Sequence, residues 1–118
     1  MSVTRGSIVW VDLVPGRGSE QRKRRPAVIV SNDTANKTAE ALGRGVIVVI
    51  PLTSSARPPY DFQVGIPHRM SHLPHDSVAQ IEQVRSVDVS RIGTTGRRLP
   101  DLLMAEISHA LRVHLNLW

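Results

Sequence analysis

The chain reads as a mainly β fold of the α+β kind, a small and strongly bent antiparallel sheet or barrel that carries a C-terminal helix. Two observations lead there. Short β-branched runs punctuated by Pro, Gly or Asn-Asp recur from Ile8 to Val87, and one amphipathic stripe closes the chain. At 118 residues it is expected to form one domain, 1–118, with a modest core of its own.

Residues 8–13 are apolar and β-branched enough for a strand, closed by Pro15-Gly16. Residues 14–25 are expected to form a long loop rich in glycine and charge, and loops of that length often carry function. Residues 27–30 read as a short buried strand that Pro26 sets off. Ser31-Asn32-Asp33 caps a helix over 34–42, which Gly43 ends. Residues 45–50 form the most hydrophobic segment, a central strand that Pro51 is expected to close. Residues 60–66 alternate with period two, the pattern of a half-exposed strand, in which Phe62 is expected to pack inward. Residues 67–74 are read as a loop. Val78, Ile81, Val84 and Val87 repeat every three residues, which suits neither a strand nor a helix. Residues 100–115 form a terminal helix with a proline-led first turn and a stripe of Leu103, Ile107, Ala110 and Leu111. That stripe and Trp118 would serve either the core or a contact between copies.

Composition narrows the function. With no cysteine, disulfides, thiol catalysis and zinc-thiolate sites are excluded together. No apolar run spans a bilayer and no secretory signal opens the chain, so a soluble, cytoplasmic protein is expected. The net charge is +5, and 13 of the 15 basic residues are arginine. Arginine grips phosphate with a planar fork where lysine offers a point charge, so polyanions are the favoured partners. Four aromatic residues (Trp10, Tyr60, Phe62 and Trp118) leave little scope for extended base stacking.

The richest stretch is Gly18-Ser19-Glu20-Gln21-Arg22-Lys23-Arg24-Arg25-Pro26, which runs into Ala27-Val28-Ile29-Val30-Ser31-Asn32-Asp33. It places a carboxylate and four cations on a loop feeding a buried strand, an arrangement suited to a phosphate. Together with the segments 6–13, 48–54 and 76–88, in that order, it resembles the MazF/PemK toxin family. The resemblance implies an SH3-like, CcdB-like barrel, and it makes 78–88 a twisted strand with a bulge. It also implies a sequence-specific, metal-independent endoribonuclease of a type II toxin–antitoxin system. Such an enzyme cleaves single-stranded RNA through its 2′-hydroxyl, leaves a 2′,3′-cyclic phosphate and a 5′-hydroxyl, and arrests growth. No cofactor is implied. The implied partners are RNA, a second copy of the chain in a homodimer, and an antitoxin with an acidic, disordered tail.

By the same resemblance Arg25, Thr53 and Glu20 are the catalytic residues. Gln21, Arg22, Lys23 and Arg24 would line the RNA path, with Gln83 and Arg85 reading bases or holding phosphate. A guanidinium does not give up its proton in a protein, so Arg25 suits the charge on the non-bridging oxygens. Glu20 is the better base, and Thr53 would donate to the phosphate or orient the leaving oxygen. The donor to the 5′-oxygen stays unassigned.

Each residue also has an ordinary reading. Arg25 would be a solvated charge, Thr53 a turn residue bonding its own backbone, Glu20 a surface carboxylate, and Glu82–Arg85 an internal ion pair. Tyr60 and Phe62, two residues apart on one strand face, would stack on bases, with core packing the better reading for Phe62. His68, His72 and His75 raise a metal site or a histidine acid–base pair, although the family motif calls for neither. His109 and His114 read as surface or interface residues. The rival from another class is a CcdB-like toxin that binds gyrase without cleaving anything. A regulatory nucleic-acid-binding barrel with no turnover is a second.

Overall fold

The computed structural model describes residues 3–13, 16–20, 23–54 and 57–118. In chain order the elements are β1 (Ser7–Asp12), β2 (Arg24–Ile29), α1 (Asp33–Leu42), β3 (Val46–Ser54) and β4 (Val64–Ile66). Then come α2 (His68–Ser71), β5 (Ser77–Ala79), β6 (Arg85–Asp88), β7 (Ile92–Arg98) and α3 (Asp101–His114). Every strand pairing is antiparallel, in the order β4-β5-β3-β2-β1-β7, with β6 beside β3.

β3 is the axis of the sheet because it changes partners along its length. One edge pairs with β2 through Ala27–Pro51, Val28–Ile50 and Ile29–Val49. Its other edge takes β6 along 46–49 and β5 along 52–54. Residues 77–88 therefore run down a single edge of β3, interrupted where Ile81–Gln83 loop out as a 3-10 turn. Val78 and Val87 sit on the two strands and Ile81 on the turn, all buried, with Val84 half-buried. The three-residue spacing is thus strand, turn and strand rather than a bulged strand.

The same turn explains why Pro51 does not close β3. Gln80 N–H donates to the Pro51 carbonyl at 3.0 Å. A strand residue's N–H and C=O point to the same edge, so the donor that proline lacks faces the interruption, where no ladder bond is lost.

β2 likewise starts earlier than expected. Arg24 pairs with Asp12 and Arg25 with Val11, so both arginines belong to the strand and not to the preceding loop. Leu13 N–H donates to the Lys23 carbonyl at 3.0 Å and closes the base of that loop.

α1 is specified locally. The Asn32 side chain accepts from Ala35 N–H at 2.8 Å, and Gly43 at φ +65° takes the left-handed cap. Asn36, fully buried, donates through Nδ2 to the Ser31 carbonyl at 2.9 Å, while Ser31 Oγ accepts from Val48 N–H at 3.1 Å. That network ties the start of the helix to β3.

β7 was not foreseen. Its sequence, Ile-Gly-Thr-Thr-Gly-Arg-Arg, has one large apolar residue and no alternation, and it is held by pairing with β1. The register shifts between Ile8 and Val9, where Thr95 Oγ1 donates to the Ile8 carbonyl at 2.6 Å and Gly96 takes φ +76°.

Two further expectations fail. Residues 60–63 form a turn rather than a strand, closed by Gln63 N–H to the Tyr60 carbonyl at 2.9 Å. Tyr60 and Phe62 stack on each other with centroids 5.3 Å apart, and Phe62 is exposed rather than packed inward. Within the expected loop 67–74, α2 makes one short helical turn that His72 ends at φ +62°.

Two apolar clusters hold the fold. One lies among β1, β2, β3, β6 and the Ala39 face of α1. In the other, Leu103, Met104 and Ile107 of α3 meet Ile8, Val28 and Ile50. Ala110 and Leu111 pack partly against this second cluster, so the terminal stripe serves the core, while Trp118 is fully exposed. Among the described residues, no helix is long and apolar enough to cross a membrane.

Candidate active site

The β2–β3 ladder ends at the Ala27–Pro51 pair, while β3 runs on to Ser54 with β5 along its other edge. A cavity of about 270 Å³ lies beside this end of the ladder. Lys23, Arg24, Arg25 and Pro26 form one wall, and Leu52 and Ser54 of β3 another. Trp10 of β1 contributes, and Leu73, Pro74, His75 and Ser77 complete the lining.

Arg25 lines this cavity and Thr53 does not. Leu52 and Ser54, which flank Thr53, line the same cavity as Arg25. Side chains alternate along a strand, so Leu52 and Ser54 facing the cavity turn Thr53 to the other face of β3. Thr53 is half-buried, and its hydroxyl makes only a long 3.4 Å contact to the Ser54 carbonyl. The Arg24 guanidinium lies 6.0 Å from the centre of the Trp10 ring. It also crosses Gly93 closely enough that a Cβ there would stand 3.0 Å from Arg24 Nη2.

The remaining predicted residues are placed differently. Glu20 closes a turn of its own loop: its Oε1 accepts from Arg17 N–H at 2.8 Å, and its N–H donates to the Arg17 carbonyl at 2.9 Å. It is exposed and does not line the cavity. Gln83 Nε2 donates to the Ser19 carbonyl at 2.8 Å, which pins that loop to the 3-10 turn. Gln83 and Arg85 stand outside the cavity wall. Glu82 accepts from Gln63 Nε2 at 2.8 Å, and among the described residues no ion pair joins it to Arg85. Gln21 and Arg22 lie outside the described residues.

Of the three clustered histidines only His75 lines the cavity, so an acid–base pair of histidines is not assembled there. Among the described residues, no group of three His, Asp or Glu side chains gathers as a metal site would require. Proline 74 and the apolar Leu73 beside it were the signals for a fixed segment, but nothing in the sequence aims that segment at Arg25.

Two carboxyl groups are held below the ordinary carboxylate range, and both lie outside the cavity. Asp33 is lowered mainly by the Arg5 N–H bond to its Oδ1 at 2.7 Å, with help from Asn36. Asp88 is lowered by hydrogen bonds from the Ser90 hydroxyl and then the Ser90 N–H. These carboxylates fix helix and strand ends and face no substrate.

A cavity walled by three cations, with Ser54 of β3 on another wall, presents positive charge to an anionic group. Residues 4–115 match the family described as PemK-like, MazF-like toxin of type II toxin-antitoxin system. The chain belongs to the PemK/MazF toxin family. It is 47% identical over 114 residues to the Mycobacterium tuberculosis protein Endoribonuclease MazF9, an alignment covering 97% of each chain. Its fold superposes on the crystal structure of MazF from Deinococcus radiodurans with a TM-score of 0.80 and 29% identity, over 99% of both chains. A MazE–MazF structure from the same organism gives a TM-score of 0.75 at 26% identity, over 98% of both chains. PemK/MazF membership thus rests on nearly the whole length, including the stretch 18–33 that first pointed to it.

Proposed function

We propose that this PemK/MazF chain is a cytoplasmic, sequence-specific endoribonuclease toxin that cleaves single-stranded RNA. The observation that supports it most is the cavity that Lys23, Arg24 and Arg25 wall on one side and Leu52 and Ser54, the neighbours of Thr53, on another. The name of the MazF9 relative supports the same activity.

In this reading the RNA 2′-hydroxyl attacks the adjacent phosphorus, the O2′–P bond forms and the P–O5′ bond breaks. Arg25 holds the non-bridging oxygens as their charge grows, an interaction worth about 3–4 kcal/mol of barrier. Glu20 takes the 2′-hydroxyl proton once its loop releases the Arg17 amide. Lys23 and Arg24 draw in the phosphate backbone. Side chains alone supply this chemistry, with no cofactor and no metal.

The partners follow from charge. A net charge of +5 and the cationic cavity suit an acidic antitoxin segment that competes with RNA, and a MazF of similar fold has been seen with MazE. A homodimer is proposed with it. The CcdB-like reading is not favoured, because the family match is to PemK/MazF.

The test is incubation of the purified protein with RNA in excess EDTA, followed by sequencing of fragment ends. Cyclic-phosphate 3′ ends at one short sequence are expected. Stoichiometric binding without new ends would overturn the nuclease reading.

A further inference from the structure

We propose that His75 is the acid that protonates the departing 5′-oxygen, an assignment that rests on the nuclease reading above. The lining of the cavity limits the choice. Lys23, Arg24 and Arg25 are cations that hold their protons, and Ser54 and Ser77 are weak acids. No carboxylate stands among the described lining residues. Histidine is the side chain suited to give and regain a proton near neutral pH, and His75 is the one that lines the wall completed by β5.

Its backbone is held on both sides. Pro74 restricts the chain before it, and Ser77 Oγ donates to the His75 carbonyl at 3.3 Å. Asp76, the next residue, accepts from His68 N–H at 2.9 Å, and Leu73 N–H donates to Ser71 Oγ at 3.1 Å. The charged groups around the imidazole are Lys23, Arg24 and Arg25 across the cavity, with Asp76 beside it in the chain. A phosphodiester between the β2 cations and His75 therefore has charge stabilisation on one side and a proton donor on the other.

The step balances. As O2′–P forms, the 2′-hydroxyl proton leaves to Glu20. As P–O5′ breaks, the His75 imidazolium gives its proton to O5′, which departs as a 5′-hydroxyl. Solvent then returns a proton to the imidazole and takes one from Glu20.

The experiment compares two oligonucleotides of the cleaved sequence in EDTA, one natural and one with sulfur in place of the bridging 5′-oxygen. A thiolate leaves without protonation, so it needs no acid. His75→Gln should lower kcat on natural RNA by about 10²–10³-fold, yet stay within about threefold of the parent on the sulfur substrate. His75 is exposed, so the variant should fold, as thermal denaturation would verify. Equal losses on both substrates, or no loss on natural RNA, would overturn this assignment while leaving the nuclease reading in place. A parent protein that cuts neither substrate would overturn both.

Discussion

Replacing Arg25 with alanine separates catalysis from binding and from folding. The side chain is half-buried at the start of β2, with its backbone paired to Val11, so truncation leaves the ladder intact. Loss of stability should stay near 1 kcal/mol, against a total of about 6–18 kcal/mol for a chain of this length. The catalytic loss is set by the charge it neutralises. An oxyanion contact worth about 3–4 kcal/mol corresponds to about 10²–10³ in kcat, since each ~1.4 kcal/mol is tenfold. Lys23 and Arg24 line the same cavity and partly substitute, which places the expectation nearer the lower end. Arg25→Lys keeps the charge but loses the fork, and should recover about tenfold of that loss. The assay is kcat on a single-site oligonucleotide in EDTA at saturating RNA, with urea denaturation run in parallel. A folded Arg25→Ala variant that keeps kcat within about threefold would refute the argument, because no other guanidinium occupies that register.

Arg24→Ala should act differently: KM rises, kcat changes little, and the slope of log affinity against log salt falls by about 0.7, as for one phosphate contact on a single strand. Titrating binding between low and moderate salt checks this. Ile107→Ala opens a void between α3 and the sheet, where Ile107 is fully buried. It should cost about 2–5 kcal/mol, read as a lower urea midpoint at unchanged slope. Asp33 has a lowered folded pKa, so its contribution is present above the unfolded carboxylate range and is lost as pH falls through the lower folded value. Asp33→Asn should therefore lower Tm at neutral pH, and the gap to the parent should close over the window below the unfolded carboxylate value of about 4. A gap that persists below that window would show a packing effect instead.

Much of the fold was legible because its signals are local. The cap at Asn32, the left-handed stop at Gly43 and the 103–107–111 stripe each act within a few residues, so composition and spacing determine them. The stretch 18–33 carried the family in the same way. Errors came where a residue's neighbour was distant in the chain. Pro51 stays in β3 because its missing donor faces an interruption made by 81–83, thirty residues on. Phe62 is an error of another kind, since the turn that exposes it and stacks it on Tyr60 is local. β7 exists only through its pairing with β1.

The residue types able to handle a phosphodiester, Arg25, Thr53 and Glu20, were thus set by the sequence alone, as were helix ends and the arginine-rich charge. The cavity itself was decided by tertiary structure, since it lies beyond the end of the β2–β3 ladder, where residues 73–77 complete a wall shared with Arg24, Arg25, Leu52 and Ser54. Closure of that kind is a property of long-range pairing, which also delivered His75 to the wall. No periodicity within a single strand encodes which partner the strand will take next.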